Sequence, residues 1–243
     1  MTESGSWSTE FVDRAARRAQ TPDPHWSGGS RLDPAVVRSV QKFQVGESGD
    51  GIHLIANAAA ADDRDYEAAV RLFVAEEQNH ARMLELLLRA AGAPTKRWHW
   101  SDSVFVRVRR LMGLRLELMV LTIAEVVALR YYRALAEGGQ DPLLADVAER
   151  ILDDERHHVP FQCRRLRVGF ERTAAPWRVV IKHLWRATAA TVIAVVAVDH
   201  GQALRVCGVS RRRFVRETIQ IFVDTSATVF APASVSPGDP KTR

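Results

Sequence analysis

Two copies of one acidic motif could build a metal site in this sequence. Each copy is a Glu-x-x-His box that is preceded, 30 residues earlier, by a single glutamate, and corresponding members of the two copies are 78 residues apart. The first set is Glu47, Glu77 and His80, and the second is Glu125, Glu155 and His158. Four carboxylates and two imidazoles are the ligand set of a dinuclear metal centre inside a four-helix bundle. We therefore predict that all six side chains are metal ligands and form the catalytic centre.

The spacing of each set explains how its members would act together. Residues i and i+3 lie on one face of an α-helix, so the Glu and His of each box can reach the same ion. A separation of 30 residues is about the length of two antiparallel helical segments and the turn between them, so each single Glu can lie beside its own box. Burying four carboxylates would cost many kcal/mol, and two divalent cations would remove that cost. Mixed carboxylate and imidazole ligands favour two Fe ions, or Mn, over Zn, Mg or Ca.

Three further residues are candidates for a supporting role. The residue before each box is acidic, Glu76 in the first and Asp154 in the second. A metal-bound imidazole usually donates its second N–H to a carboxylate or carbonyl group. We predict that each acid accepts from the histidine of the opposite box, the alternative being a solvated acid beside the site. Thr122, one turn before Glu125, could donate a proton to bound oxygen, the alternative being a core threonine.

The local sequence predicts four long helices that would carry these groups. Asp33-Pro34 has the N-cap and first-turn proline of a helix start, while Gly92-Ala93-Pro94 and Gly138-Gly139 are helix stops. The predicted helices run from Pro34 to about Ala60, Tyr66 to Ala91, Val104 to Ala136 and Pro142 to Phe170. Short turns within two hairpins and a longer connection between them, residues 95–103, predict an all-α four-helix bundle with one crossover.

Two positions disturb this regular pattern. Glu47 lies among Gly46, Gly49 and Gly51, and each glycine costs about 1 kcal/mol relative to alanine inside a helix. Either the first helix is distorted there, which would open a route for substrate or O2, or it starts later and Glu47 lies in a loop or first turn. Pro160 follows the second box by two residues and is expected to kink the fourth helix.

The chain as a whole divides into four predicted parts. Residues 1–32 are rich in Ser, Thr, Pro and Gly and are expected to form a mostly mobile arm, and residues 33–172 form the bundle. Residues 173–231 are expected to add helices at about 176–206 and 209–229 that pack on the bundle, and residues 232–243 a disordered tail. Within this extension, Ala187–Val198 is too short to span a bilayer and is predicted to be a buried helix. Its β-branched part, Thr191–Val198, could instead be a strand.

Composition limits the cellular setting and the partners. The formal charge is +5, and the basic excess comes almost entirely from arginine. The arginine clusters are expected to be solvated helix surface, so a nucleic-acid partner is not favoured. The two cysteines, Cys163 and Cys207, suggest neither a disulfide framework nor a metal pair, which favours a reduced compartment. Without a signal-peptide pattern or a predicted membrane span, we expect a cytoplasmic protein.

The two boxes resemble those of a known superfamily. Glu76-Glu77-Gln78-Asn79-His80 and Asp154-Glu155-Arg156-His157-His158 are similar to the paired (D/E)-E-x-x-H boxes of the ferritin-like di-iron carboxylate superfamily, especially those of acyl-carrier-protein desaturases and related O2-activating oxidases. The resemblance covers roughly residues 34–170. It implies that Glu77 and Glu155 bridge two metals, that Glu47 and Glu125 are terminal ligands, and that His80 and His158 each bind one ion.

Three functions remain open from the sequence. The first is an O2-dependent di-iron hydroxylase, desaturase or N-oxygenase, which would act on a small-molecule or carrier-bound substrate. No nucleotide-binding glycine fingerprint is visible, so its electrons would come from an external donor or reductase. The second is a peroxide- or metal-handling protein of the rubrerythrin, manganese catalase or small ferritin type, although Cys-x-x-Cys pairs of the rubredoxin kind are absent. The third is a metal-free helical binding module. The C-terminal helices could also form a homodimer interface.

Overall fold

The protein folds into α-helices packed around one apolar core. The computed structural model describes residues 6–96 and 113–231, and within these ranges no residue forms a β-strand. The helices are α1 Thr9–Gln20, α2 Pro34–Glu47, α3 Ile52–Ala59, α4 Arg64–Ala90, α5 Leu114–Gly138, α6 Pro142–Phe170, α7 Ala175–Asp199, α8 Gly201–Val206 and α9 Arg211–Phe230, with a short 3-10 turn at Trp26–Gly28. The predicted all-α class is therefore confirmed, and the strand considered for Thr191–Val198 is wrong because that segment continues α7.

Side-chain caps fix the beginnings of the long helices. The carboxylate of Asp33 accepts from the backbone N–H of Ala35 at 2.7 Å, and Pro34 occupies the first helical position of α2. Asp63 and Asp141 cap α4 and α6 in the same way, through bonds of 3.0 and 2.9 Å. Each cap satisfies a backbone donor that the helix itself leaves unpaired. These contacts explain why α4 and α6 begin within two residues of the predicted starts.

Four helices carry the boxes and the single glutamates. α2 packs against α4, α4 against α6, and α6 most extensively against α5. Three residues connect α5 to α6, which makes these two helices an antiparallel hairpin. The interior between the four helices is filled by fully buried side chains such as Val70, Leu87, Val126, Leu135 and Ile151. These helices thus form a rigid frame that holds the acidic and histidine side chains.

The first predicted helix is interrupted at the glycine-rich segment. α2 ends at Glu47, and α3 begins at Ile52 after a turn in which Gly51 has a φ of +64°. A Cβ atom on Gly51 would lie 2.5 Å from both γ carbons of Val74, so both the backbone conformation and the space require glycine there. Glu47 is therefore the last residue of a helix, which corrects the single helix expected from Pro34 to Ala60. By contrast, α6 continues through Pro160.

The N-terminal segment differs from the mostly mobile arm expected for residues 1–32. α1 packs against α4, with Phe11 and Arg14 only 3% and 6% exposed. The carboxylate of Asp65 accepts from the backbone N–H groups of Trp7 and Ser8 at 2.5 and 3.3 Å, which anchors the start of the helix. The guanidinium of Arg164 also lies 3.8 Å above the Trp7 ring. The Ser, Thr, Pro and Gly residues that suggested mobility thus lie almost entirely on either side of the helix.

The helix expected to be buried in the C-terminal extension is largely exposed. α7 buries only Trp185, Ala189, Ile193 and Ala197, which form one narrow stripe at four-residue intervals. α9 packs most extensively against this helix, α8 and α5 less so, and most of its remaining surface is exposed. α7 is also the one helix in residues 6–96 and 113–231 that is long and apolar enough to cross a membrane by length and composition. Length and composition alone are weak evidence for a membrane span. The exposure of α7 corrects the prediction that this segment is a buried helix.

Three predictions concern residues outside the described ranges. These are most of the crossing segment 95–103, the start of the third predicted helix at Val104, and the tail at 232–243. The described part of the third helix, α5, ends two residues later than predicted. The C-terminal extension matches its prediction in outline, except that a turn at His200 separates α7 from α8.

Candidate metal centre

The six predicted ligands converge in the space between α2, α4, α5 and α6. They form two overlapping groups, in each of which the ligand atoms lie within 4.8 Å of one another. One group is Glu47, Glu77, His80 and Glu155, and the other is Glu77, Glu125, Glu155 and His158. Glu77 and Glu155 belong to both groups, whereas each of the other four residues belongs to one. The arrangement offers two adjacent places for an ion, with a shared pair of carboxylates between them.

The chemistry of the donor atoms fits metal ions. His80, His158 and Glu155 are at most 1% exposed, and Glu125 and Glu47 are 4% and 8% exposed. His80 Nδ1, His158 Nδ1, Glu77 Oε1 and both carboxylate oxygens of Glu155 are buried and make no hydrogen bond to any described residue. Buried polar atoms without partners are rare because they lose the hydration of the unfolded chain. Five such atoms within the two overlapping ligand groups are what a pair of cations would satisfy.

The outer nitrogen of each histidine binds the acid that precedes the opposite box. His80 Nε2 lies 3.1 Å from Asp154 Oδ2, and His158 Nε2 lies 2.9 Å from Glu76 Oε2. Because an ionised carboxylate only accepts, each Nε2 carries the proton and donates. This fixes the tautomer that leaves both Nδ1 atoms free to face the shared carboxylates, at 3.4 Å and 3.3 Å from Glu77 Oε1. The cross-pairing expected from the sequence is therefore present in the structure.

Two arginines from α1 balance the charge of these outer acids. Arg14 donates to Asp154 Oδ1 at 2.6 Å, and Arg18 donates to the same oxygen at 3.1 Å and also to Glu76. Two divalent ions would neutralise the four ligand carboxylates, and the two guanidinium groups neutralise the two outer acids. The sequence motifs do not identify these arginines. Two features of the sequence could have suggested these arginines. Arg14 and Arg18 are four residues apart and so share one face of α1, and the buried Phe11 lies one turn before Arg14.

The single glutamates are held by hydrogen bonds of their own. The buried phenol of Tyr132 donates to Glu47 Oε1 at 2.7 Å, and this bond fixes a carboxylate that stands at the end of a helix. The side-chain amide of Gln162 donates to Glu125 Oε1 at 3.0 Å. Neither bond follows from a sequence motif, although Gln162 lies on α6 one turn after His158. Each predicted terminal ligand thus has one dedicated donor.

Thr122 is a buried core threonine, which was the alternative to a proton donor. Its hydroxyl lies 2.7 Å from the carbonyl oxygen of Leu118 and 2.8 Å from Gln162 Oε1, and both atoms accept. The single hydroxyl proton is therefore shared between these acceptors and is directed away from the ligand cluster. Thr122 acts on the centre only through Gln162, which it orients so that the amide nitrogen faces Glu125.

Burial and mutual repulsion perturb the acids of the centre. Burial, followed by the charge of Glu77, raises the pKa of Glu47 well above its usual value, and burial with the charge of Glu125 does the same to Glu155. Burial alone would also raise the pKa of Asp154, but His80, Arg14 and Arg18 together lower it. The outer acid Asp154 is therefore kept ionised by its cations, whereas Glu47 and Glu155 need a comparable source of positive charge.

An apolar cavity of about 600 Å³ ends on the ligand cluster. All four ligand glutamates line one part of its wall, and the glycines of the α2–α3 turn, Gly49 and Gly51, line another. Apolar side chains from four helices form most of the remaining surface: Leu54, Phe73, Val74, Leu121, Ile123, Val127, Val192, Val195 and Val196. The volume is within the range of cavities that hold small organic ligands. The glycine-rich segment, where the sequence predicted a route for substrate or O2, thus forms part of the cavity wall.

No known protein-family model matches this chain, and no curated protein matches it either. The structure therefore supports a helical protein with buried carboxylate and histidine groups that could bind metal. That arrangement is compatible with a ferritin-like fold.

Proposed function

We propose that this protein is an O2-activating non-haem di-iron oxidoreductase that hydroxylates, desaturates or N-oxygenates an apolar small molecule. The observation that carries the proposal is the contact between the cavity and the ligand cluster: all four ligand carboxylates face the same apolar space of about 600 Å³. A protein that only stores iron or decomposes peroxide has no need of an organic-sized apolar cavity at its metals. The cavity therefore favours oxidation of an organic substrate over the peroxide- or metal-handling alternative.

The proposal includes specific roles for the six ligands. Glu77 and Glu155 would bridge two ions because they alone belong to both ligand groups. Glu47 and His80 would complete one ion site, and Glu125 and His158 the other. These assignments, together with α2, α4, α5 and α6 as the frame, would make the chain a ferritin-like di-iron carboxylate protein. Two iron ions, or manganese in their place, would supply the electron transfer to O2 that protein side chains cannot perform.

The chain itself would provide binding, orientation and exclusion of water. Phe73, Leu121 and Val127 give the cavity a surface that binds an alkyl or aromatic group through burial of apolar area. The same surface would reduce the access of bulk water to the centre, which would limit unproductive loss of oxidising equivalents. The cross-paired acids and arginines hold both histidine rings in place during turnover.

The electron balance requires a second protein or a soluble reductant. Hydroxylation places one oxygen atom of O2 in a C–H bond and reduces the other to water, which takes two electrons and two protons. Desaturation removes two hydrogen atoms from the substrate and also takes two electrons from outside to form two waters. Since the sequence has no nucleotide-binding glycine fingerprint, we propose that an external donor supplies these electrons.

The test is a reaction of iron-loaded protein with O2. The protein is loaded anaerobically with two equivalents of ferrous iron and mixed with O2 while visible absorbance and O2 consumption are recorded. We expect a transient absorption band and O2 uptake by the wild type, and neither by Glu155→Ala. Glu149→Ala removes an exposed carboxylate from the same helix and should behave as the wild type.

Two outcomes would contradict the proposal. Oxidation of ferrous iron at the same rate in Glu155→Ala and the wild type would show that the centre is not the reacting site. Reaction with peroxide but not with O2 would exclude the oxygenase function and leave the peroxide-handling alternative.

A further inference from the structure

α1 covers the histidine side of the candidate centre. The cavity wall includes all four ligand glutamates but neither His80 nor His158, so the cavity reaches the centre from the carboxylate side. Both imidazoles are fully buried. The ring of Phe11, on α1, is stacked beside the His158 ring, with the two ring centroids 6.3 Å apart. α1 therefore lies on a side of the centre that the cavity does not reach.

A series of contacts joins α1 to the place for the ion beside His80. His80 Nε2 donates to Asp154 Oδ2 at 3.1 Å. The other oxygen of this carboxylate, Asp154 Oδ1, accepts from Arg14 at 2.6 Å and from Arg18 at 3.1 Å. Only one imidazole and one carboxylate therefore separate the guanidinium groups of α1 from this ion place.

A second series reaches the place for the other ion. His158 Nε2 donates to Glu76 Oε2 at 2.9 Å, and Glu76 Oε1 accepts from Arg18. Arg18 thus belongs to both series and connects them on α1. A displacement of this one helix would remove the cations from both outer acids together.

Ionic contacts with the centre are the main buried attachment of α1 itself. Phe11 is the only buried apolar side chain of the helix. The segment after the helix is tied to α4 by bonds of 3.1 and 3.2 Å between Asp23 and Arg82, but these side chains are 56% and 46% exposed. Exposed ion pairs contribute little to stability. The side chains of Arg14 and Asp154 are only 6% and 7% exposed, and breaking a buried pair leaves an uncompensated charge.

The positions of the outer acids depend in turn on whether the centre is filled. The Nδ1 atoms of His80 and His158 are buried and make no hydrogen bond to any described residue. An ion bound at Nδ1 would fix the imidazole ring and, through the Nε2–H group, the carboxylate that the arginines bind. Metal binding would therefore favour the docked position of α1.

We propose that α1 is a strap whose docking is coupled to metal binding, with Arg14 and Arg18 as its positioning residues. Docked α1 raises the affinity of the centre for both ions, and the bound ions hold α1 in place. Such a coupling is reciprocal, so each event strengthens the other by the same factor. Release of α1 then weakens metal binding without any change in the six ligands. The inference rests on the dinuclear centre of the proposed function, but not on its reaction with O2.

The first test follows α1 by hydrogen–deuterium exchange and mass spectrometry. The full-length protein is compared in its metal-free and Mn²⁺-loaded forms, in the peptides that cover residues 9–20. We expect Mn²⁺ to slow exchange in α1 by roughly 5- to 150-fold, the usual range for coupled sites. α9 is the reference, because it contributes no ligand and a general gain in stability would slow its exchange as much. Unchanged exchange in α1, or slowing no greater than in α9, would overturn the proposal.

The second test removes the two guanidinium groups. We expect Arg14→Gln Arg18→Gln to bind both Mn²⁺ ions about 5- to 150-fold more weakly in an anaerobic competition with a chelator. Mn²⁺ should also no longer slow exchange in α1 more than in α9. Arg17→Gln is the matched control and should behave as the wild type, because Arg17 is an exposed arginine of the same helix.

Circular dichroism establishes that these variants are folded. Wild-type affinity in the folded double variant, or an equal loss of affinity in Arg17→Gln, would contradict the role of these two arginines. If the double variant does not fold, the exchange measurement on the wild type still decides whether metal and α1 are coupled.

The strap and the proposed function can fail separately. Two Mn²⁺ ions per chain without selective protection of α1 would overturn the strap and leave the centre standing. Selective protection of α1 by Mn²⁺, without any reaction of the ferrous protein with O2, would support the strap and contradict the oxidase. A folded protein that binds neither Mn²⁺ nor Fe²⁺ would overturn both.

Discussion

Removal of the Tyr132 hydroxyl should weaken one ion site and spare the other. The phenol donates to Glu47 Oε1 at 2.7 Å, and both groups are buried. Tyr132→Phe deletes only this donor, so Glu47 remains present as a ligand but its carboxylate loses its hydrogen bond. Because Glu47 belongs to the ligand group of His80 and not to that of His158, the effect should be confined to the first group.

The size of this effect follows from the kind of hydrogen bond that is lost. A bond to a charged group contributes about 1.5–3 kcal/mol, and each 1.4 kcal/mol is a factor of ten in affinity. We therefore expect a loss of roughly 10- to 150-fold in affinity for one of two ions. Loss of an outer hydrogen-bond partner at known metal sites typically costs 10- to 100-fold, which agrees with this range.

The assay is an anaerobic titration with Mn²⁺ or Fe²⁺ against a competing chelator, which resolves two binding constants per chain. Tyr131→Phe is the control, because its hydroxyl lies 2.7 Å from Ser39 Oγ and contacts no ligand. The reasoning would be refuted if Tyr132→Phe bound both ions with wild-type affinity, or if Tyr131→Phe weakened binding equally.

Three further predictions concern neighbouring residues. Gln162→Leu should weaken the second ion site by a similar factor and leave the first unchanged, and equal loss at both sites in the same titration would argue against separate supports. Asp154→Asn should lower the affinity of the ion bound by His80 by about 10- to 100-fold, because it removes the charge that fixes the imidazole; unchanged affinity would show that the contact is incidental. Gly51→Ala should lower the melting temperature by several °C, since left-handed backbone costs a non-glycine residue about 1–3 kcal/mol. Gly49→Ala should change the melting temperature much less, because the space around its Cβ is open. Equal melting temperatures for these two variants would contradict the tight approach to Val74.

The sequence predicted those parts of the molecule that depend on local rules. α6 has the predicted bounds because Asp141-Pro142 starts it, and α4 begins near its prediction because of the Asp63 cap. The six candidate ligands meet because their spacing places them at equal depth on facing helices. The cross-pairing of Glu76 and Asp154 follows from the same repeat.

The rest depended on contacts between distant residues, which local patterns do not encode. Arg14 and Arg18 lie 140 and 58 positions from their partners Asp154 and Glu76, so nothing around them in the chain marks them as part of the centre. α7 was expected to be buried because it is apolar, but hydropathy alone cannot tell a core helix from an apolar helix on the surface. At the three glycines the sequence left open a distorted first helix or a later helix start. The end of α2 at Glu47 and the close approach of Gly51 to Val74 appear only in three dimensions.

The most direct test of the proposed dinuclear centre is the metal content of protein purified anaerobically and dialysed against ferrous iron. We expect two ions per chain in the wild type, and fewer than one in a Glu77→Ala Glu155→Ala variant that lacks both shared carboxylates. One ion or none in the folded wild type would contradict the centre, because the two overlapping ligand groups would then not act together.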